Sequence, residues 1–114
     1  MYYLYMLLCE GDLIYTGIAK DVKKRLGEHL GMQRGGAKFT RAHRPKRLLC
    51  LFSLPDRALA SSVENRIKRL SRVQKERLVH SPEQVFCELF ADLSDVISYC
   101  DPAEINREFF QNQP

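Results

Sequence analysis

The sequence predicts an α/β (α+β) fold, and three observations carry that reading. Residues 2–9 (YYLYMLLC) and 13–18 (LIYTGI) are apolar, aromatic segments on either side of Glu10-Gly11-Asp12, so the chain opens with a β-hairpin. Residues 48–54 (LLCLFSL) form a compact apolar run closed by Pro55, which suits a third strand in the middle of the core. Between and after these strands, apolar residues recur at helical spacing behind helix-start signals at Asp21, Asp56, Ser71, Ser81 and Asp101.

Each element follows from local chemistry. Asp21 is placed to cap a helix in which Val22, Leu26 and Leu30 repeat every four residues, and Gly31 is a suitable stop. The pair Gly35-Gly36 loosens the chain, and Ala37 to His43 can form a short helix that must end before Pro45. Asp56 caps a helix running to about Leu70, with Leu59, Val63, Ile67 and Leu70 on its buried side and Glu64 at the edge of that face. Ser71-Arg72-Val73-Gln74 is a capping box that starts a new helix. Ser81-Pro82-Glu83-Gln84 combines a second capping box with proline at the first helical position, and Asp101-Pro102-Ala103-Glu104 repeats the logic. Between these, Val85, Phe86, Leu89, Phe90, Leu93 and Ile97 form an amphipathic stripe, and Phe109-Phe110 adds aromatic bulk, so the tail reads as ordered helix.

The 114 residues fit one small core. No apolar run approaches the ~20 residues of a membrane span, and the short, strand-like N-terminus lacks the basic leader of a signal peptide. Cys9, Cys50, Cys87 and Cys100 lie far apart without a Cys-x-x-Cys pair, which argues against zinc and a disulfide framework and for a reducing cytoplasm. The net charge of +4 conceals a split. Residues 1–79 hold 17 Lys+Arg against 7 Asp+Glu, whereas residues 80–114 hold 1 against 7. The basic part suits a polyanion, above all nucleic acid. Its densest stretch contains Arg34, Lys38, Arg41, Arg44, Lys46 and Arg47 with no carboxylate among them.

Chemistry concentrates in residues 14–29. Tyr15 ends a strand beside Gly17, which permits close backbone approach, and Arg25 and His29 stand four apart on one face of the following helix. A phenol, a guanidinium and an imidazole across one short turn suit phosphodiester cleavage. Surface positions for all three are the bland alternative.

In order and spacing, these residues resemble the GIY-YIG nuclease superfamily, specifically its small stand-alone bacterial (YhbQ-like) branch. Tyr3-Leu4-Tyr5 stands in place of the first motif and Tyr15-Thr16-Gly17 in place of the second. Arg25 follows ten residues after Tyr15, and His29 four later. Gly36-Ala37-Lys38-Phe39-Thr40-Arg41, followed by Arg44-Pro45, resembles the branch's own signature, and Glu64 lies in a helix after the third strand. Ile67-Lys68 and Lys75-Glu76 resemble the branch's downstream pattern. Two departures stand out: Tyr3 replaces the first motif's glycine, and Ile18 stands where many active relatives carry lysine.

The resemblance implies a small three-stranded antiparallel sheet flanked by helices, here with an extra C-terminal helical segment. Residues 1–79 would be the nuclease-like domain, and residues 80–114 an acidic helical extension packed on or beside it. It further implies hydrolysis of DNA phosphodiesters with one divalent ion, Mg²⁺ or Mn²⁺, in repair or recombination of branched or damaged DNA, and it does not rule out RNA. Glu64 would hold the metal, Arg25 would clamp the scissile phosphate, and Tyr15 would receive the proton of the attacking water, with Tyr5 and His29 positioning or relaying. A free phenol ionises near ~10, so that role asks for cations nearby. Lys38, Thr40, Arg41, Arg44, Lys46 and Lys68 would contact nucleic acid.

Two other classes of function fit the same residues. One is a nucleic-acid-binding module of this fold that cuts poorly. The other is an interaction protein whose helices in residues 81–114 dock a protein partner or a second copy. The charge split adds a further expectation, that Glu88, Asp92 and Asp95 shield the basic face. Alternatively the tail enlarges a small core.

Overall fold

The computed structural model describes residues 1–32 and 34–111. Strands β1 (Tyr2–Cys9) and β2 (Leu13–Ala19) form the hairpin, turning through Gly11 and Asp12, both at positive φ. Helix α1 (Val22–His29) follows, then the short helix α2 (Lys38–Ala42) and strand β3 (Pro45–Leu54). Helices α3 (Arg57–Lys68), α4 (Arg72–His80) and α5 (Pro82–Leu89) come next. A single turn at Ala91–Leu93, strand β4 (Ser98–Cys100) and helix α6 (Ala103–Phe109) complete the chain.

The sheet is antiparallel throughout, in the order β2-β1-β3-β4. Its three long strands are those the sequence predicts, and β4 is an added edge. Alternation along β1 divides the core into two layers. Leu4 and Met6 face one side with Cys50, Phe52 and Leu54 of β3, and are covered by Ala60, Val63 and Ile67 of α3, Leu78 of α4, and Val85, Phe86 and Phe90. Tyr5, Leu7 and Cys9 face the other side with Leu48 and Leu51, and are covered by Val22, Leu26 and Leu30 around α1 and by Phe110.

The caps largely follow the sequence. Asp21 accepts from the Lys24 backbone N–H at 3.1 Å, Asp56 accepts from that of Leu59 at 2.8 Å, and Ser71 and Gln74 close a reciprocal box. Gly31 ends α1 at φ +78. The second predicted box does not form: Ser81 makes no side-chain cap bond, and α5 starts on Pro82 alone.

The tail is not the all-helical segment that the sequence predicts, because a strand lies between its helices. The stripe from Val85 to Ile97 does turn to one core, but α5 stops at Leu89, because residues 98–100 pair with Leu51, Phe52 and Ser53 of β3. Phe86 meets Phe52 at 4.9 Å between ring centroids and Phe90 at 4.7 Å. At the other end, the Asn106 side chain accepts from the Leu48 N–H at 2.8 Å and donates to its carbonyl at 2.9 Å. The tail's acids serve this packing. Glu88 pairs with Arg77, and Asp92 takes Arg66 through both oxygens, so these two sit against α3 and α4 rather than over residues 34–47.

Candidate active site

The site begins with a register. Tyr5 of β1 lies directly opposite Gly17 of β2, and Tyr15, two residues along β2, projects from the same face. A Cβ on Gly17 would stand 2.5 Å from the Tyr5 hydroxyl and 2.7 Å from Cζ, so the phenol lies across the glycine backbone. Helix α1 covers this face and brings in Arg25 and His29 from consecutive turns.

Tyr5, His29 and Thr40 form one hydrogen-bonded chain. The Thr40 hydroxyl donates to the Ala37 carbonyl at 2.9 Å, so it must accept from His29 Nδ1–H, 2.8 Å away. That fixes the tautomer, leaving the Nε2 lone pair to receive the Tyr5 O–H at 2.8 Å. Burial, helped by the nearby Arg25 cation, pushes the His29 pKa down to about 4, so the ring is neutral at pH 7. Burial raises Tyr5 well above the ordinary phenol range, against the opposing pull of Arg25. Tyr5 is therefore a protonated donor, held in place by a neutral acceptor. Tyr15 packs edge-on to His29 at 5.2 Å between centroids and stacks on Phe39 at 5.6 Å.

Arg25 is held from two sides. Its Nη1 donates to Glu28 Oε1 at 2.7 Å and to the Gly35 carbonyl at 2.6 Å. Sequence reasoning missed Glu28, although its i,i+3 spacing from Arg25 was the available signal. It also missed Phe39 as the support of Tyr15.

Glu64 belongs to the other layer. Helix α3 packs across β1 and β2 on the face opposite α1. At about 100° per residue, Glu64 lies on the flank away from Arg66, which turns toward Asp92 and Phe90. Its half-buried carboxylate meets Lys68 Nζ at 3.4 Å, and its charge reaches Tyr5, helping to raise that phenol. Tyr5, Tyr15, Arg25 and His29 are thus gathered on one face, and Glu64 addresses them from across the sheet.

Among the expected nucleic-acid contacts, Thr40 is only 2% exposed, with its hydroxyl engaged by His29 and Ala37; its place is to hold His29. Arg41 and Arg44 line a cavity with Arg34 beside His29. Lys38 is exposed at the start of α2, Lys46 lines a separate hollow with Asn106 and Phe110, and Lys68 is the partner of Glu64. Ile18 packs against the α3-side core.

Whether a divalent ion suits these residues turns on the donor set. Both nitrogens of His29 are occupied, and the described residues contain no group of three or more His, Cys, Asp or Glu able to hold a metal. One carboxylate fits a hard cation that keeps most of its waters and borrows oxygens from a phosphate. It does not fit zinc.

A small α+β sheet with two tyrosines, a histidine and an arginine on one face defines a class, and comparison with known proteins identifies it. Residues 1–77 match the model of the GIY-YIG catalytic domain, and the chain belongs to the GIY-YIG family. Its relatives narrow this to the UPF0213 proteins. One from Fusobacterium nucleatum is 43% identical over 82 residues, covering 72% of this chain and 80% of the relative. One from Cupriavidus necator is 47% identical over 74 residues, covering 65% and 78%. The solution NMR structure of a UPF0213 protein from Bacillus halodurans is 35% identical, covering 79% of this chain and 98% of that one, with a TM-score of 0.46. The domain is that of a nuclease family, which implies a nucleic-acid substrate. Among the described residues, no helix is long and apolar enough to cross a membrane.

Proposed function

We propose that this chain is a metal-dependent endonuclease that hydrolyses DNA phosphodiester bonds, with branched or damaged DNA as its preferred form. The observation that carries this reading is the Tyr5–His29–Thr40 chain standing beside Arg25 and Tyr15 on one sheet face. Such a relay restricts Tyr5 to one orientation before any substrate arrives. Arg25 would present its remaining guanidinium N–H groups to the scissile phosphate, held by Glu28 and Gly35. Tyr15 would take the proton of the attacking water. His29, neutral and with its basic nitrogen filled, would position Tyr5 rather than act as a base. Glu64 would hold the Mg²⁺ or Mn²⁺ ion, which when bound supplies charge stabilisation at the leaving oxygen.

The test is cleavage of plasmid and four-way-junction DNA with Mg²⁺ or Mn²⁺. Arg25→Ala and Glu64→Ala should each lose nearly all activity, and variants that cut as well as the parent reject these roles. A second reading, a nucleic-acid-binding module that cuts poorly, draws support from the engagement of Arg25 Nη1 by Glu28 and Gly35 and from Ile18 in place of a cation. It predicts salt-sensitive binding without product.

A further inference from the structure

Behind the His29–Thr40 pair lies a cavity of about 790 Å³ between the end of α1 and α2. Arg34, Arg41 and Arg44 line it together with Glu28. Among the described residues none of the three arginines meets a carboxylate within 4 Å, and the cavity's own carboxylate is occupied by Arg25. Arg44 donates to the Leu30 carbonyl at 3.4 Å, which anchors one of the three at the C-terminal end of α1.

The wall of this cavity is built to close tolerance. Gly36 is pressed so tightly on the last turn of α1 that a Cβ would stand 2.5 Å from the Glu28 carbonyl oxygen, and Gly35 turns at φ +110 to present its own carbonyl to Arg25. Three guanidiniums without a carboxylate partner around a preformed concavity suit the oxygens of a phosphate, because each offers a planar fork of donors. The cavity also has a fixed relation to the phenol cluster. Thr40 and His29 line it, and two hydrogen bonds of 2.8 Å and one imidazole ring separate Thr40 Oγ1 from the Tyr5 hydroxyl.

We propose that this cavity is a phosphate subsite that takes the phosphate next to the scissile one on the same strand, with Arg34, Arg41 and Arg44 as its ligands. The inference rests on the nuclease reading for which strand is bound, but not for the binding itself. Glu28 and Gly35 tie the two phosphate positions together, since Arg25 is held by the same segment that walls the cavity. Lys46 and Lys68, outside it, have no part in this subsite.

The probe is deoxythymidine 3′,5′-bisphosphate, titrated without divalent metal while the arginine Nε–H resonances are followed by NMR. The resonances of Arg25 and of Arg34, Arg41 and Arg44 should move together. The double variant Arg41→Ala/Arg44→Ala should bind about tenfold or more weakly, with an amide spectrum that otherwise matches the parent's. Unmoved resonances at all three cavity arginines, or unchanged affinity in the double variant, would overturn the proposal. Inorganic phosphate binding as tightly as the bisphosphate would make this a free-phosphate site, which also overturns it. No cleavage is read, so an inactive protein that binds the bisphosphate here sinks the nuclease reading alone. A protein that cuts DNA but ignores the probe at these arginines sinks only the subsite.

Discussion

Gly17→Ala is the most informative single change, because one methyl group addresses the whole relay. Alanine in a strand would ordinarily stabilise relative to glycine by about 0.5–1 kcal/mol through reduced chain entropy. Here the new Cβ meets the Tyr5 hydroxyl at 2.5 Å, Cζ at 2.7 Å and Tyr15 Cε2 at 3.0 Å. Tyr5 cannot step aside cheaply, because its ring is 1% exposed and its hydroxyl is bonded to His29. Overpacking of this kind costs about 1–3 kcal/mol, and breaking a buried hydrogen bond adds about 1 kcal/mol. The clash outweighs the entropic gain, and a net loss of roughly 1–3 kcal/mol should lower Tm by about 5–15 °C. The assay is thermal unfolding, with the His29 ring nitrogens followed by NMR. Combining Gly17→Ala with Tyr5→Leu should destabilise by less than the two single changes together, since the displaced ring is then gone. A Gly17→Ala protein as stable as its parent, with His29 Nε2 still accepting a hydrogen bond, would refute the reasoning.

The remaining predictions address other parts of the same assembly. His29 has a folded pKa of about 4 against an ordinary 6.5, so the unfolded chain binds the extra proton between those values. Its contribution is full above about pH 6.5 and is lost as pH falls toward 4, by at most roughly 3 kcal/mol. Urea unfolding of the parent and His29→Gln at pH 7 and pH 4.5 should show a smaller pH dependence in the variant. Thr40→Val leaves His29 Nδ1–H without its acceptor, at a cost of about 1–3 kcal/mol, and imidazole ¹⁵N shifts should report a disturbed tautomer. In the tail, Phe86→Ala removes a ring only 3% exposed and packed on Phe52 and Phe90, at about 3–5 kcal/mol. Asp92→Asn, an exposed partner of Arg66, should leave Tm almost unchanged.

What the sequence could convey follows from which interactions are local. The Asp21 and Asp56 caps and the Ser71 box depend on residues within four of one another, the hairpin grows outward from a tight turn, and all form as read. Gly17 could be read only as a place of close backbone approach; that the Tyr5 ring is what lies across it follows from the strand register. The α5–β4 break was not legible. Leu93 and Ile97 enter the core with Val85 and Phe86 whether the chain stays helical or not, so periodicity cannot detect a strand that β3 imposes at residues 98–100. Strand β3 likewise starts three residues early, at Pro45, because the end of β1 offers Cys9 as a partner. Thr40 looked like a surface contact in a basic run, and only the tertiary position of His29 turns its hydroxyl inward.

The division of the site between two faces of the sheet has a consequence for metal binding. Arg25, Tyr15 and Tyr5 project on the α1 side, whereas Glu64 rises from α3 and carries Lys68 at 3.4 Å. Edge strand β2 carries Tyr15 and packs against α3, so it belongs to both halves. A cation beside Glu64 finds a carboxylate already paired with Lys68, and the described residues hold no group of three or more His, Cys, Asp or Glu to complete a shell. Under the proposed roles the missing oxygens would come from the substrate phosphate, which Arg25 would hold. Mn²⁺ alone should therefore bind with a dissociation constant on the order of millimolar or weaker, as expected when dedicated ligands are few. An uncleavable phosphorothioate duplex should tighten that binding, and by thermodynamic reciprocity Mn²⁺ should tighten the duplex by the same factor. Paramagnetic broadening centred on Glu64 reads both titrations, and Glu64→Gln should abolish the mutual effect while leaving metal-free DNA binding intact. Strong broadening at low metal concentration without DNA would mean that the protein itself completes the coordination shell, and the division of labour across the sheet would then be wrong.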